Sequence, residues 1–265
     1  MRISVVQHNA QSDVKSSLNT LYENIRKAAG NGAELIALPE YYAYLGDGEG
    51  ELQASGDWFD DINGRTAELA KLLKVAIHAG SIAERRENGV YNTTVVHGPD
   101  GSEIARYSKI HMFDIDLPNG ECYRESDYIK PGSDVVVYDY NGWKIGCAIC
   151  YDMRFPTLFR KLRDLGAELL MVPAAFTRET GRAHWEVLLR ARAIETCCYL
   201  AAPAQVFSHH NGAYHCFGHS LICDPWGHVT ANCSDLLSSA ETTLSKAYLN
   251  EVRERIPLDR HHRLD

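Results

Sequence analysis

The stretch GAELIALPE at 32–40 returns, little altered, as GAELLMVPA at 166–174, and this repeat decides the fold. Each copy follows an amphipathic segment. Leu18, Leu21 and Ile25 mark one helical face ahead of the first; Leu158, Phe159, Leu162 and Leu165 mark one ahead of the second, with Pro156 suited to a helix start and Gly166 to its end. ISVVQ (3–7) and KIGCAIC (144–150) lead into those segments, and ELIALP (34–39) and ELLMVP (168–173) return from them. The continuous apolar character of the returning runs is that of strands buried on both faces. Each copy therefore reads strand, helix, strand. No linker rich in Pro, Gly or Ser separates the copies, so two related halves within one α/β domain spanning residues 1–265 are expected.

Between the halves, VAIHAGSIAE (75–84), VYNTTVVHG (90–98) and SEIARYSKI (102–110) read as strands, with GPDG (98–101) as a hairpin turn. HMFDIDLPNGECYRESDYIKPG (111–132) shows no clear periodicity over roughly twenty residues, long for a connector, and is expected to be an active-site loop. Further on, RAHWEVLLRARAIET (182–196) reads as a helix, CYLAAPAQ (198–205) as a buried strand and GHSLICDPWGHVTA (218–231) as a hairpin around DPWG.

The chain has 265 residues, 45% of them apolar, enough for a substantial core. A formal net charge of -8 argues against a polyanionic partner, because nucleic-acid binding depends on clustered Lys and Arg to displace counterions. The densest basic stretch, RERIPLDRHHRLD (253–265), is interrupted by acids and apolar residues and reads as a solvated or interface tail. Eight cysteines are spread from Cys122 to Cys233, several in apolar runs, which fits reduced thiols better than a disulfide scaffold. No apolar run reaches the length of a membrane span, and MRISVVQHNA lacks a signal-peptide core, so a soluble, cytoplasmic protein without membrane partners is expected.

GCAICYDMRFP (146–156) carries Cys147 and Cys150 in a C-x-x-C spacing. A redox dithiol needs both sulfurs at a helix N-terminus, whereas Cys147 falls inside the strand and Cys150 at its C-terminal end. Strand, sharp turn and helix present a nucleophile at a sheet edge with the next backbone N–H free for an oxyanion; Cys150 is either that nucleophile or buried filler. Glu40 follows the returning strand of the first half, and the repeat implies that it shares a sheet end with Cys150 on neighbouring strands. Alone, it also reads as a helix cap or a solvated charge. Lys109 closes a third apolar run at that end and, alone, reads as a surface lysine.

ALPE (37–40), YSKIHMFD (107–114) and CYDMRFP (150–156), in this order and at these distances, resemble the Glu, Lys and Cys motifs of the nitrilase superfamily of carbon–nitrogen hydrolases. The likeness covers essentially the whole chain. PAAFTRETGRAHWEVLLRARAIETCCYLAAPAQ (173–205) and GHSLICDPWG (218–227) are similar to the amidase branch that contains omega-amidases and deaminated-glutathione amidases, and RERIPLDRHHR is nearest the latter. The resemblance implies a four-layer α-β-β-α sandwich of two pseudo-symmetric halves that associates through outer helices into a homodimer or higher homo-oligomer. It implies Cys150 as nucleophile, Glu40 as general base, Lys109 as cationic partner of the tetrahedral intermediate, and Glu125 of ESDYIKPG (125–132) as a second glutamate, with Glu121 a competitor for that place.

The implied reaction hydrolyses a small carboxylate-bearing linear amide to acid and ammonia through a cysteine thioester, with no metal or cofactor. Glu40 takes the thiol proton, Lys109 and the Tyr151 backbone N–H meet the oxyanion, and Glu40 then serves the leaving ammonia and the attacking water. Arg154 is expected to pair with a substrate carboxylate, or instead with an Asp of the chain. Phe176 and Thr177 are expected to line the pocket. Omega-amides of 2-oxo acids and N-carbamoyl compounds are alternative substrates. Two readings of other classes stand beside this one. His209, His210, His215, Cys216 and His219 supply enough N and S groups for a zinc-dependent amidohydrolase, although a Gly-broken loop is a poor frame for ligands. A catalytically inactive binding scaffold is the other. GDGEG (46–50) lacks the strand-to-helix setting of a phosphate loop.

Overall fold

Alternate residues of β1 (Arg2–Val6) divide between two cores, as the two-residue period of a strand requires. Ile3 and Val5 face one core, and Val6 faces another beneath α1 (Val14–Gly30), which contributes Leu18, Leu21, Ile25 and Ala28. Asp13 caps α1 by accepting the Ser16 N–H at 3.2 Å. In β2 (Leu35–Ala37) the alternation repeats: Leu35 and Ala37 face inward, Ile36 outward. The structure is a computed structural model that describes residues 1–46, 48–116, 120, 122–209, 212 and 214–263.

The first half continues through α2 (Glu49–Ala54), α3 (Phe59–Leu73), β3 (Ala76–Arg86), β4 (Gly89–His97) and β5 (Glu103–Ser108) to a short hairpin of β6 (Asp114–Asp116) and β7 (Cys122–Arg124). The second half runs β8 (Val137–Tyr140), β9 (Trp143–Cys147), α4 (Pro156–Asp164), β10 (Leu169–Met171), α5 (Arg178–Thr196) and β11 (Tyr199–Ala202). A hairpin of β12 (Val206–His209) and β13 (Tyr214–Phe217) precedes β14 (Leu221–Cys223), β15 (Val229–Asn232), β16 (Ser239–Thr243), α6 (Lys246–Arg255) and α7 (Leu258–His261).

Two six-stranded sheets result, ordered β16-β1-β2-β3-β4-β5 and β15-β14-β11-β10-β9-β8. Read in opposite directions the orders correspond strand for strand. β1, β2 and β3 are parallel neighbours, as are β9, β10 and β11, and each trio is flanked by antiparallel strands. The inward faces of both sheets share one core, to which Ile3, Val5 and Leu35 contribute from one sheet and Ile145, Leu169 and Tyr199 from the other. Helices α4 and α5 add Leu158, Leu162, Trp185 and Leu189 to it, so the layers run helix, sheet, sheet, helix.

Two expectations need correction. Leu165 lies beyond α4 and is 53% exposed, because the chain leaves the helix at Gly166, whose φ of 92° no helix accommodates. Glu40 and Cys150 follow strands of different sheets, β2 and β9, rather than neighbouring strands: repeat partners occupy equivalent places in two sheets, not adjacent places in one. The segment 111–132 contains the β6–β7 hairpin, which pairs Ile115 with Tyr123. Among the described residues no helix is long and apolar enough to cross a membrane.

Two histidines are buried without charge partners. His8 and His78 are 1% and 0% exposed, and His78 reaches across the sandwich to the Tyr138 hydroxyl at 3.1 Å. Burial, aided by His209, pulls His8 down to about 4, and burial alone pulls His78 down to about 3. A histidine depressed in the folded state contributes its full stability above the unfolded value of about 6.5 and loses it as pH falls toward the folded value. Stability is therefore expected to fall from about pH 6.5 to about pH 4, by up to about 1.4 kcal/mol per pH unit for each histidine. Thermal melts between pH 7.5 and 4.5 check this; a flat profile contradicts it.

Candidate active site

Just past β9 the chain passes into a 3₁₀ turn (Cys150–Arg154) and then α4. Cys150 has a φ of 45°, a left-handed conformation that costs a non-glycine residue about 1–2 kcal/mol. Two fixings offset that cost. The Cys150 N–H donates to the Pro173 carbonyl at 2.9 Å, and the fully buried Asp152 braces the turn. Asp152 accepts from the Tyr107 hydroxyl (2.7 Å), the Ile149 N–H (2.9 Å) and the His111 N–H (3.0 Å), and pairs with His111 Nδ1 at 2.7 Å. Cys147, by contrast, lies within β9, 1% exposed, and burial pushes its thiol far up. The C-x-x-C spacing thus divides into one core thiol and one at a turn.

Glu40 reaches the same point from the other sheet. Its Oε1 accepts from Asn92 Nδ2 at 2.8 Å and Lys109 Nζ at 3.2 Å, and its Oε2 accepts from the Ala175 N–H at 2.8 Å. The turn carrying it packs against Gly80, where an added Cβ would stand 1.9 Å from the Pro39 carbonyl oxygen, so only glycine fits. Lys109 follows β5, with its N–H donated to the Asn92 carbonyl at 2.9 Å. Its ammonium also donates to Glu125 Oε1 and Oε2 at 3.0 and 2.7 Å, and Glu125 Oε2 accepts the Phe113 N–H at 2.7 Å. Glu40, Lys109, Glu125 and Cys150 are all buried, at 2%, 2%, 5% and 7% exposure.

Burial on its own would lower the Lys109 ammonium, but Glu125 and then Glu40 outweigh it and hold the group well above its ordinary value. Burial raises Glu125, with the Glu40 charge adding to that and Lys109 opposing it. The Cys150 thiol is pushed well up by burial and by the facing Glu40 carboxylate, against the pull of Lys109. At rest the sulfur keeps its proton, and the nearest carboxylate is Glu40. The arrangement can accept a proton from sulfur, present a fixed cation to a developing oxyanion, and exclude bulk water from both.

These groups form one end of a cavity of about 260 Å³. Tyr151, Phe176 and Thr177 line it, and Thr177 Oγ1 lies 2.6 Å from Thr180 Oγ1. Arg154 stands behind the lining: its guanidinium covers the Tyr151 and Phe176 rings at 5.7 and 5.4 Å and donates to His184 Nδ1 at 3.2 Å. It has no carboxylate partner among the described residues, so the internal Arg–Asp pair does not form there. Sequence reasoning missed the aromatic wall of Tyr41, Phe113, Tyr123, Tyr128 and Tyr214, and the partners Asn92 and Asp152. Asn92 left a legible sign, a polar residue in the apolar run VYNTTVV, and Phe113, Tyr123 and Tyr128 fall within the aperiodic segment 111–132 expected at the site.

The histidine-rich segment has other partners. His209 Nδ1 lies 2.6 Å from the Ala10 carbonyl, His215 Nδ1 lies 2.9 Å from Ser208 Oγ, and His219 lies 3.2 Å from Asp235. Among the described residues no three His, Cys, Asp or Glu side chains are grouped to hold a metal ion. Glu121 and His210 lie outside the described residues. Gly46 and Gly48 of GDGEG border the cavity.

The sequence model of a family described as carbon-nitrogen hydrolase matches residues 2–253. A deaminated glutathione amidase of Synechocystis is 36% identical over 263 residues, covering 97% of this chain and 96% of that protein. An omega-amidase of Xenopus laevis is 36% identical, covering 99% of this chain and 95% of that one. Among solved structures, the Caenorhabditis elegans NitFhit protein superposes with a TM-score of 0.93 at 33% identity, covering 99% of this chain and 65% of that one.

Proposed function

The chain belongs to the carbon–nitrogen hydrolase family and is an amidase, and on that premise we propose that it opens a small carboxylate-bearing linear amide through a thioester on Cys150. One observation carries the reading: a buried ammonium, Lys109, is held between two buried carboxylates beside the buried Cys150 thiol, at one end of a cavity. Glu40 takes the thiol proton as sulfur attacks the amide carbon, since the raised thiol does not ionise beforehand. Lys109 Nζ and the Tyr151 N–H, at the open N-terminal end of the 3₁₀ turn, receive the oxyanion; losing one such donor costs about 3–4 kcal/mol of transition-state stabilisation.

Glu40 returns its proton to the departing nitrogen and then activates the water that cleaves the thioester. Glu125 holds Lys109 in line through two hydrogen bonds. A primary amide releases ammonia, and an N-substituted one releases its amine. Arg154, behind Tyr151 and Phe176 with no carboxylate partner among the described residues, favours a substrate with a distal carboxylate. The activities of the relatives rank deaminated glutathione first and omega-amides of 2-oxo acids second. No step calls for a metal or cofactor. The core shared by both sheets supports residues 1–265 acting as one domain, and eight free cysteines fit a cytoplasmic setting.

Turnover of a panel of amides, following both ammonia and acid release, tests the reading beside Cys150→Ala. The parent is expected to be active and the variant to lose activity by at least about a thousandfold; parent-like turnover by Cys150→Ala contradicts the mechanism.

Val187 and Ile194 of α5, seven residues apart and so on one face, are 67% and 47% exposed beside Trp226 at 43%. That apolar patch supports a homo-oligomer built through the outer helix layer. Sedimentation of the parent is expected to show a dimer or larger assembly that Val187→Asp with Ile194→Asp dissociates. A monomeric parent contradicts it.

A further inference from the structure

Asp152 has no exposed surface, and its two oxygens take four hydrogen bonds, the full capacity of a carboxylate. Oδ1 accepts the His111 N–H at 3.0 Å and pairs with the His111 ring Nδ1 at 2.7 Å. Oδ2 accepts the Tyr107 hydroxyl at 2.7 Å and the Ile149 N–H at 2.9 Å. The places of these donors in the chain are what matter. Tyr107 and His111 stand two residues before and two residues after Lys109, and Asp152 stands two residues after Cys150. One buried carboxylate thus grips the lysine segment on both sides and joins it to the turn that carries the nucleophile.

The other anchors of Lys109 do not reach that turn. Its N–H goes to the Asn92 carbonyl at 2.9 Å, its carbonyl accepts the Gly132 N–H at 2.8 Å, and its ammonium is held by Glu40 and Glu125. Among the described residues, the hydrogen bonds that join 107–113 to 147–156 all end on Asp152. Ring contacts close the same junction: His111 stacks on Phe155 with centroids 3.7 Å apart, and Phe113 meets the Tyr151 ring edge-on at 5.2 Å. Burial first, and then Asp152, hold the Tyr107 phenol well above its ordinary value, so it stays a donor. Tyr107, His111 and Asp152 do not line the active-site cavity, so whatever they contribute to the reaction passes through Lys109 and Cys150.

We propose that Asp152 is a positioning residue: through Tyr107 and His111 it sets where the Lys109 ammonium stands relative to Cys150 and the Tyr151 N–H, and so fixes the oxyanion site. This rests on the amidase reading above and adds what keeps the parts of that site in register. An oxyanion donor works only at hydrogen-bond distance from the oxygen as its charge develops, and a displacement of about 1 Å can cost about a hundredfold in rate. Loosening the clamp therefore weakens the transition state more than the bound amide.

Tyr107→Phe and His111→Phe test this, since each removes one donor to Asp152 and keeps an aromatic ring in place. Besides turnover of the amide panel, two probes of Cys150 are read. A dicarboxylic semialdehyde takes the sulfur on its carbonyl carbon; the thiol proton passes to Glu40 and the carbonyl opens to an alkoxide that needs the oxyanion donors. Iodoacetamide takes the same sulfur with loss of iodide and forms no oxyanion. Each variant is expected to lower kcat about tenfold with KM within about twofold, to bind the semialdehyde about tenfold more weakly, and to react with iodoacetamide within about twofold of the parent rate. A kcat that stays at the parent level, a semialdehyde affinity that does not follow kcat, or a fall in all of these together with a lowered melting temperature overturns the inference and leaves the amidase reading standing. Full turnover by Cys150→Ala, or no turnover of any amide by the parent, overturns both.

Discussion

A lysine ammonium buried between two carboxylates is the constraint on which the rest of this structure depends. Moving each such ion out of water costs several kcal/mol, recovered only when the geometry is good and the remaining lone pairs are met. Here they are met. Glu40 receives Asn92, Lys109 and the Ala175 N–H, and Glu125 receives Lys109 twice and the Phe113 N–H. Glu40, Asn92, Lys109 and Glu125 come from the first half of the chain, while Ala175 and Cys150 come from the second, so the cluster exists only where the two sheets are packed together.

The cluster also dictates how the thiol reacts. Cysteine enzymes that rely on a histidinium or a helix N-terminus hold a ready thiolate, because positive charge stabilises it. Cys150 instead faces a carboxylate in a buried setting, and both push its thiol well up against the pull of Lys109. Strain at Cys150 and Tyr41, both left-handed, and the glycine at 80 that lets β3 approach the Glu40 turn are local concessions to the same convergence.

The internal repeat made the alternation of strands and helices legible, because apolar periodicity is a local property. Which sheet each strand joins is not local: the same repeat that marked β2 and β10 as equivalents concealed that they lie in separate sheets, and so misplaced Glu40 and Cys150 as neighbours. The cysteine, lysine and glutamates could be read from their motifs. Tyr41 and Tyr214 could not, since they join Phe113, Tyr123 and Tyr128 of the expected loop in one wall only after long-range folding. Leu165 failed for a smaller reason, its place as the residue capping α4 just before the Gly166 turn rather than within the helix.

A double-mutant cycle on Lys109 and Glu125, read as the free energy of unfolding in urea, tests the central claim most directly. Lys109→Met alone should cost about 3–5 kcal/mol, because it leaves two carboxylates buried together. Adding Glu125→Gln removes one of those charges and should restore part of the loss, giving a coupling energy of about 2 kcal/mol or more. If the two single costs instead add to within about 0.5 kcal/mol, the three charges do not hold one another and the account fails.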